Sequence, residues 1–129
     1  MPHLSIEYSA GLESRADLPA ALRQLHGAMV ETGIFPLAGI RVRAFRADHV
    51  IVADGLPKND FCAMTLSVGA GRSTAQLQDA GQIVFDAARA AFADLLASPH
   101  FALSLEIREI EPELSWKETP IHARLKAQK

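Results

Sequence analysis

At 129 residues the chain can bury one sizeable core and is too short for two domains of ordinary size. A formal net charge of −2, with 49% hydrophobic and 22% charged residues, fits an ordinary globular protein and excludes bulk attraction to nucleic acid or to an anionic membrane. A single cysteine excludes an intrachain disulfide, and no run of about 18 apolar residues is available to span a bilayer.

The segment PHLSIEYS alternates. Pro2, Leu4, Ile6 and Tyr8 share one parity and His3, Ser5, Glu7 and Ser9 the other, which predicts a half-buried strand. Proline suits its first position, where no ladder donor is needed. A helix is expected from about Leu18 to Thr32, capped by Asp17, with Pro19 in its first turn and Gly33 at its end. Leu18, Leu22, Leu25 and Met29 form its apolar stripe. GIFPLAGI then connects to a strand, IRVRAFRADHVIV. In that strand Ile40, Val42 and Ala44 face one way and Arg41, Arg43 and Phe45 the other, with a bend near Ala47 to His49. Asp54-Gly55 and Pro57 mark a turn.

Phe61 to Val68 is almost continuously apolar, which predicts a third strand buried on both faces. In GAGRSTAQ, Ser73 and Gln76 fit a capping box that opens a helix reaching about Ala97. Leu77, Val84, Ala88, Phe92 and Leu95 point to its core side, and Ser98-Pro99 ends it. FALSLEIREIE is a fourth strand, with Phe101, Leu103, Leu105 and Ile107 on one face. The tail, LSWKETPIHARLKAQK, predicts a short extended piece and a fraying basic end.

The order strand–helix–strand, twice over, predicts an α+β two-layer fold: two βαβ units forming a four-stranded sheet with two helices on one face. The expectation is one domain over 1–129, with pseudo-repeat halves of about 1–58 and 59–129. A third strand apolar on both faces needs a second cover that the chain cannot supply. An oligomer packed sheet against sheet is therefore expected.

The chemistry is carried by few residues. GAGR lacks the third glycine of a dinucleotide fingerprint, since position 74 is Thr, and Arg72 directly before Ser73 excludes a Walker A loop. What remains is either a tight turn or a carboxylate-binding turn with free N–H groups and Arg72 beside them. Arg41 and Arg43 sit two apart on one strand face, and Arg46 continues the basic character. They read as a solvated surface or as part of the same anion site. His3, His26, His49, His100 and His122 have no metal-ligand spacing, and the sequence has no HExxH, CxxC or GxSxG. Cys62 reads as a buried, inert thiol. The N-terminus lacks a secretory signal, so the expected compartment is the cytoplasm.

Pro2 raises a sharper question. Removal of Met1 before a small second residue would leave a free secondary amine. An α-amino group has a pKa of about 7.7–8.0, and both burial and nearby guanidinium groups lower it toward the range of a general base. Proline alone, however, favours the plain strand-start reading.

The segments MPH, TGIFPLAGIR and MTLSVGAGRS together resemble the 5-carboxymethyl-2-hydroxymuconate isomerases of the tautomerase superfamily. The resemblance runs over nearly the whole chain, through LSWK and IHARLK. It implies two βαβ units per chain and a homotrimer with its sites near subunit interfaces. It implies Pro2 as catalytic base, with Arg41 in PLAGIR and Arg72 in GAGRS as the catalytic arginines and their separate roles open. Arg43 falls at a neighbouring basic position, and Trp116 at that of an apolar wall; both would bind substrate. The implied reaction is ketonisation of a 2-hydroxydienoate to a 2-oxo-enoate in homoprotocatechuate degradation, with a small carboxylate substrate and no metal or organic cofactor. Two alternatives stay open: a tautomerase for a simpler 2-hydroxydienoate or an arylpyruvate, and a non-catalytic trimeric binding protein.

Overall fold

The computed structural model describes residues 1–128. Strand β1 (His3–Ser9) leads through a 3₁₀ turn to helix α1 (Leu18–Glu31), and a second 3₁₀ turn at Leu37–Gly39 leads to β2 (Arg41–Ala47). Strand β3 (Asp60–Gly69), helices α2 (Thr74–Ala91) and α3 (Ala93–Leu96), and β4 (Phe101–Ile110) repeat the pattern. Helix α4 (Pro120–Ala127) follows.

The strands form one mixed sheet in the order β2-β1-β3-β4. β1 pairs parallel with β2, β3 pairs parallel with β4, and β1 and β3 run antiparallel at the centre. This is the expected α+β architecture. α1 connects the parallel neighbours β1 and β2, and α2 with α3 connects β3 and β4, as crossovers must.

The local signals act as their chemistry requires. The Asp17 carboxylate accepts from the Ala20 N–H at 3.1 Å, and Gly33 takes φ +72° just past the end of α1. The capping box is complete: the Gln76 N–H donates to Ser73 Oγ at 3.1 Å and the Ser73 N–H donates to Gln76 Oε1 at 2.9 Å. Leu4, Ile6 and Tyr8 of β1 and Cys62, Met64, Leu66 and Val68 of β3 meet Leu25 and Met29 of α1 and Val84 and Ala88 of α2 in one buried cluster. Burial pushes the Cys62 thiol up to about 12. None of the described helices is long and apolar enough to cross a membrane.

In the single chain strand β3 is buried on the helix side, and Phe61, Ala63, Thr65 and Ser67 are half-buried on the other face. Two expectations change. The long second helix breaks at Phe92 (φ −112°, ψ 26°), whose ring is buried against Phe101 at 5.7 Å between centroids. The basic tail is helical over Pro120–Ala127 rather than frayed there, and Lys129 lies outside the described residues. Pro120 opens a helix at the position where a missing N–H costs nothing, and that helix rests against the Leu37–Gly39 turn.

Candidate active site

Pro2 sits fully buried at the foot of β1. Its carbonyl accepts from the Arg41 N–H at 3.1 Å, which fixes the start of the parallel pair. Two glycines make room beside it. A Cβ on Gly39 would stand 3.1 Å from Pro2 Cδ, and one on Gly69 would stand 3.6 Å from the Met1 nitrogen. The turn before β2 and the end of β3 thus close on the N-terminus from two sides.

Arg72 is held firmly at this end of the sheet. Its Nε and Nη2 donate to the Ile34 carbonyl at 3.2 and 2.9 Å, its Nη1 donates to the Gly69 carbonyl at 3.2 Å, and the guanidinium lies 4.9 Å over the Phe35 ring. Guanidinium carries five N–H bonds, so two remain for a ligand. Arg41 is half-buried; its Nη1 donates to the Gly39 carbonyl at 3.2 Å and lies 3.6 Å from Met1 Sδ.

The Met1 ammonium is pushed below its ordinary value of 8.0, by burial first and then by the charges of Lys117, Arg72 and Arg41. Met1 also lines a cavity of about 160 Å³ with Pro36, Gly39, Lys117, Thr119 and His122. The structure therefore brings Pro2, Arg41 and Arg72 together. It adds Lys117 and helix α4, which the sequence reading left in a fraying tail. The available signal was Thr119-Pro120 ahead of Ile121 and Leu125 at helical spacing.

Arg43 lies apart. It is exposed on the open sheet face, with Nη1 3.3 Å from His3 Nδ1. Because guanidinium only donates, Nδ1 accepts and the His3 proton sits on Nε2. That nitrogen is buried without a partner among the described residues. Burial first, then Arg41, Arg43 and the terminal ammonium, hold His3 below its ordinary value of 6.5. Trp116 is 85% exposed in the isolated chain. Arg46 is taken up at the other end of the sheet by Asp48 at 2.7 Å and Glu13 at 3.2 Å.

Two larger hollows have the opposite electrostatic character. One of about 280 Å³ is lined by Asp54 and Asp60, and another of about 580 Å³ by Glu13 and Asp17. A polycarboxylate is repelled there and attracted to the cationic end at Pro2.

Comparison with known proteins agrees with this geometry. The family described as 5-carboxymethyl-2-hydroxymuconate isomerase matches residues 2–125. The 5-carboxymethyl-2-hydroxymuconate Delta-isomerase of Escherichia coli is 41% identical over 128 residues, covering 98% of this chain and all of its own length. The crystal structure of a 5-carboxymethyl-2-hydroxymuconate isomerase from Deinococcus radiodurans R1 superposes with TM-score 0.89 at 36% identity, over 96% of this chain and 93% of the other. Fused 4-OT, solved as a symmetric trimer, shares the fold alone, at TM-score 0.60 and 21% identity over 94% of this chain and 98% of its own. The chain belongs to the 5-carboxymethyl-2-hydroxymuconate isomerase family, and its fold is tautomerase-like.

Proposed function

We propose that this protein ketonises 5-carboxymethyl-2-hydroxymuconate, with the Pro2 amine as general base once Met1 has been removed. The observation that carries the reading is the ring of cations around the start of β1. Lys117, Arg72 and Arg41 all lower the proton affinity of an amine there, and burial lowers it further. A prolyl amine in that place is pushed the same way, toward the range where a general base works best at neutral pH.

The reaction then follows from the geometry. Pro2 takes the proton of the 2-hydroxyl; the O–H pair becomes the new C=O, the double bonds shift along the chain, and a distal carbon takes the proton back from the prolyl ammonium. Charge gathers on the C2 oxygen and on the neighbouring carboxylate. Arg41 and Arg72 share the tasks of stabilising that oxygen and holding that carboxylate, through charge-assisted bonds already oriented before reaction. With Met1 present, the cavity of about 160 Å³ falls below the usual range for a ligand pocket. Removing Met1 enlarges it on the side facing Arg41.

The homotrimer belongs to the same proposal. The sheet face away from the helices carries half-buried Phe61, Ala63 and Thr65, and Phe45 beside them is 56% exposed. Second and third copies covering that face bury these groups and bring an outlying aromatic such as Trp116 toward a neighbouring site, where it serves as an apolar wall; Arg43, engaged with His3 on the same face, stays outside the site. Light scattering at micromolar concentration tests the assembly, and a monomer there contradicts it. The chemistry is tested by assaying the ketonisation with protein whose intact mass lacks Met1. Turnover that vanishes in Pro2→Ala supports the reading, and turnover that survives unchanged removes Pro2 from it.

A further inference from the structure

We infer that Lys117 is a specificity-determining residue, whose ammonium takes the carboxymethyl carboxylate of the tricarboxylate substrate at the cavity that Met1 and Gly39 line beside Pro2. The inference deepens the functional reading above and rests on its choice of substrate. A muconate carries two carboxylates on its conjugated chain, and a carboxymethyl arm adds a third. Arg41 and Arg72 flank the N-terminus and are taken up by the C2 oxygen and its neighbouring carboxylate, so the far carboxylate and the carboxymethyl arm still need a cation. The third cation suggested by strand spacing, Arg43, is turned onto His3 on the open sheet face. None of the three arginines lines the cavity of about 160 Å³.

Lys117 does line that cavity, together with Met1, Gly39 and Thr119. It comes from the segment between β4 and α4. No carboxylate pairs with it among the described residues, which leaves its charge for a ligand. The residue type also fits. A planar guanidinium matches a carboxylate fixed in a conjugated plane, whereas an ammonium on a flexible stem follows one that turns about a single bond. The segment is held in place because α4 packs on the Leu37–Gly39 turn, with His122 on both the cavity and the groove beside it.

The test compares kcat/KM on 5-carboxymethyl-2-hydroxymuconate with that on 2-hydroxymuconate, which lacks the arm. In Lys117→Ala the ratio of the two falls about tenfold, carried by KM on the tricarboxylate. Lys117→Arg restores most of it. A wild-type ratio in Lys117→Ala overturns the inference, as does a loss that Lys117→Arg fails to recover. If protein lacking Met1 turns over neither substrate, the Pro2 reading fails instead. The same ratio is then read from calorimetric binding of the two acids to wild type and variant, with the same outcomes deciding.

Discussion

The Arg72 guanidinium lies 4.9 Å over the Phe35 ring while its Nε and Nη2 donate to the carbonyl of the preceding residue, Ile34. The segment between α1 and β2 thus orients a charge that belongs to the turn after β3. Phe35→Leu keeps an apolar side chain in this buried place and removes the ring face. Its kcat/KM on the muconate falls about five- to tenfold with little loss of fold, in line with the strength of a partly desolvated cation–π contact. Steady-state kinetics beside a thermal melt check this. Phe35→Ala is less informative, because a buried Phe truncated to Ala costs about 3–5 kcal/mol of stability.

The two arginines differ in how they are held, and their variants differ accordingly. Arg72→Ala and Arg41→Ala each lower kcat/KM by about 10²–10³, the size of losing one donor to a developing oxyanion. Arg72→Lys recovers little, since an ammonium cannot keep the Ile34 and Gly69 carbonyls and still present two free N–H bonds. Wild-type kinetics in either alanine variant removes that arginine from the mechanism.

Gly39 offers a test of positioning that leaves every charge in place. A methyl there would meet Pro2 Cδ at 3.1 Å, tighter than ordinary van der Waals contact. Gly39→Ala shifts the ring by a few tenths of an ångström. The expected result is a several-fold fall in kcat with a near-native melting temperature, because small misplacements at a reacting centre are costly. A fall in melting temperature with kcat unchanged points to plain packing.

His3 gives the fold a pH dependence whose sign is fixed. Its folded value lies below the ordinary 6.5, owing to burial, Arg41, Arg43 and the terminal ammonium. The unfolded chain therefore takes up the proton first as pH falls through 6.5. Stability is fully present above that value and is lost on acidification. Melting temperature falls between pH 7 and pH 5, and His3→Gln shows a shallower fall. Carboxylates held low, such as Asp54 and Glu13, add their losses below about pH 4.5 and leave this window to His3.

Cys62 lies in the core between β1 and β4, with its thiol pushed up to about 12. Iodoacetamide at pH 8 leaves native protein unlabelled and active, and labels it in denaturant. Mass spectrometry after each treatment reads the outcome. Rapid native labelling contradicts the packing described for β3.

Much of this was legible in the sequence because it was local. Parity along PHLSIEYS, Asp17 before α1 and the Ser73–Gln76 box each act within a few residues, and each is realised as its chemistry demands. The break at Phe92 carried no Gly or Pro to announce it; a ring drawn to Phe101, nine residues on, decides it. Strand β3 read as apolar on both faces, and its outer positions, Phe61 followed by the small or hydroxylated Ala63, Thr65 and Ser67, are half-covered in the single chain. Arg43 shares a face with Arg41, but two residues along a strand carry it about 6.6 Å beyond Arg41, where His3 meets it. Lys117 was invisible as a lone cation in a polar tail. Only the packing of α4 on the Leu37–Gly39 turn accounts for its place.

The central claim is that the amine of Pro2 performs the proton transfer, and Met1 decides whether that amine exists. The most direct test is to prepare the protein in two forms, with and without Met1, verified by intact mass, and to assay both on 5-carboxymethyl-2-hydroxymuconate across pH. The account predicts turnover only in the form lacking Met1, rising with pH through a pKa below that of an ordinary prolyl amine. Equal turnover by the form that retains Met1, in which the Pro2 nitrogen is an amide, would contradict it.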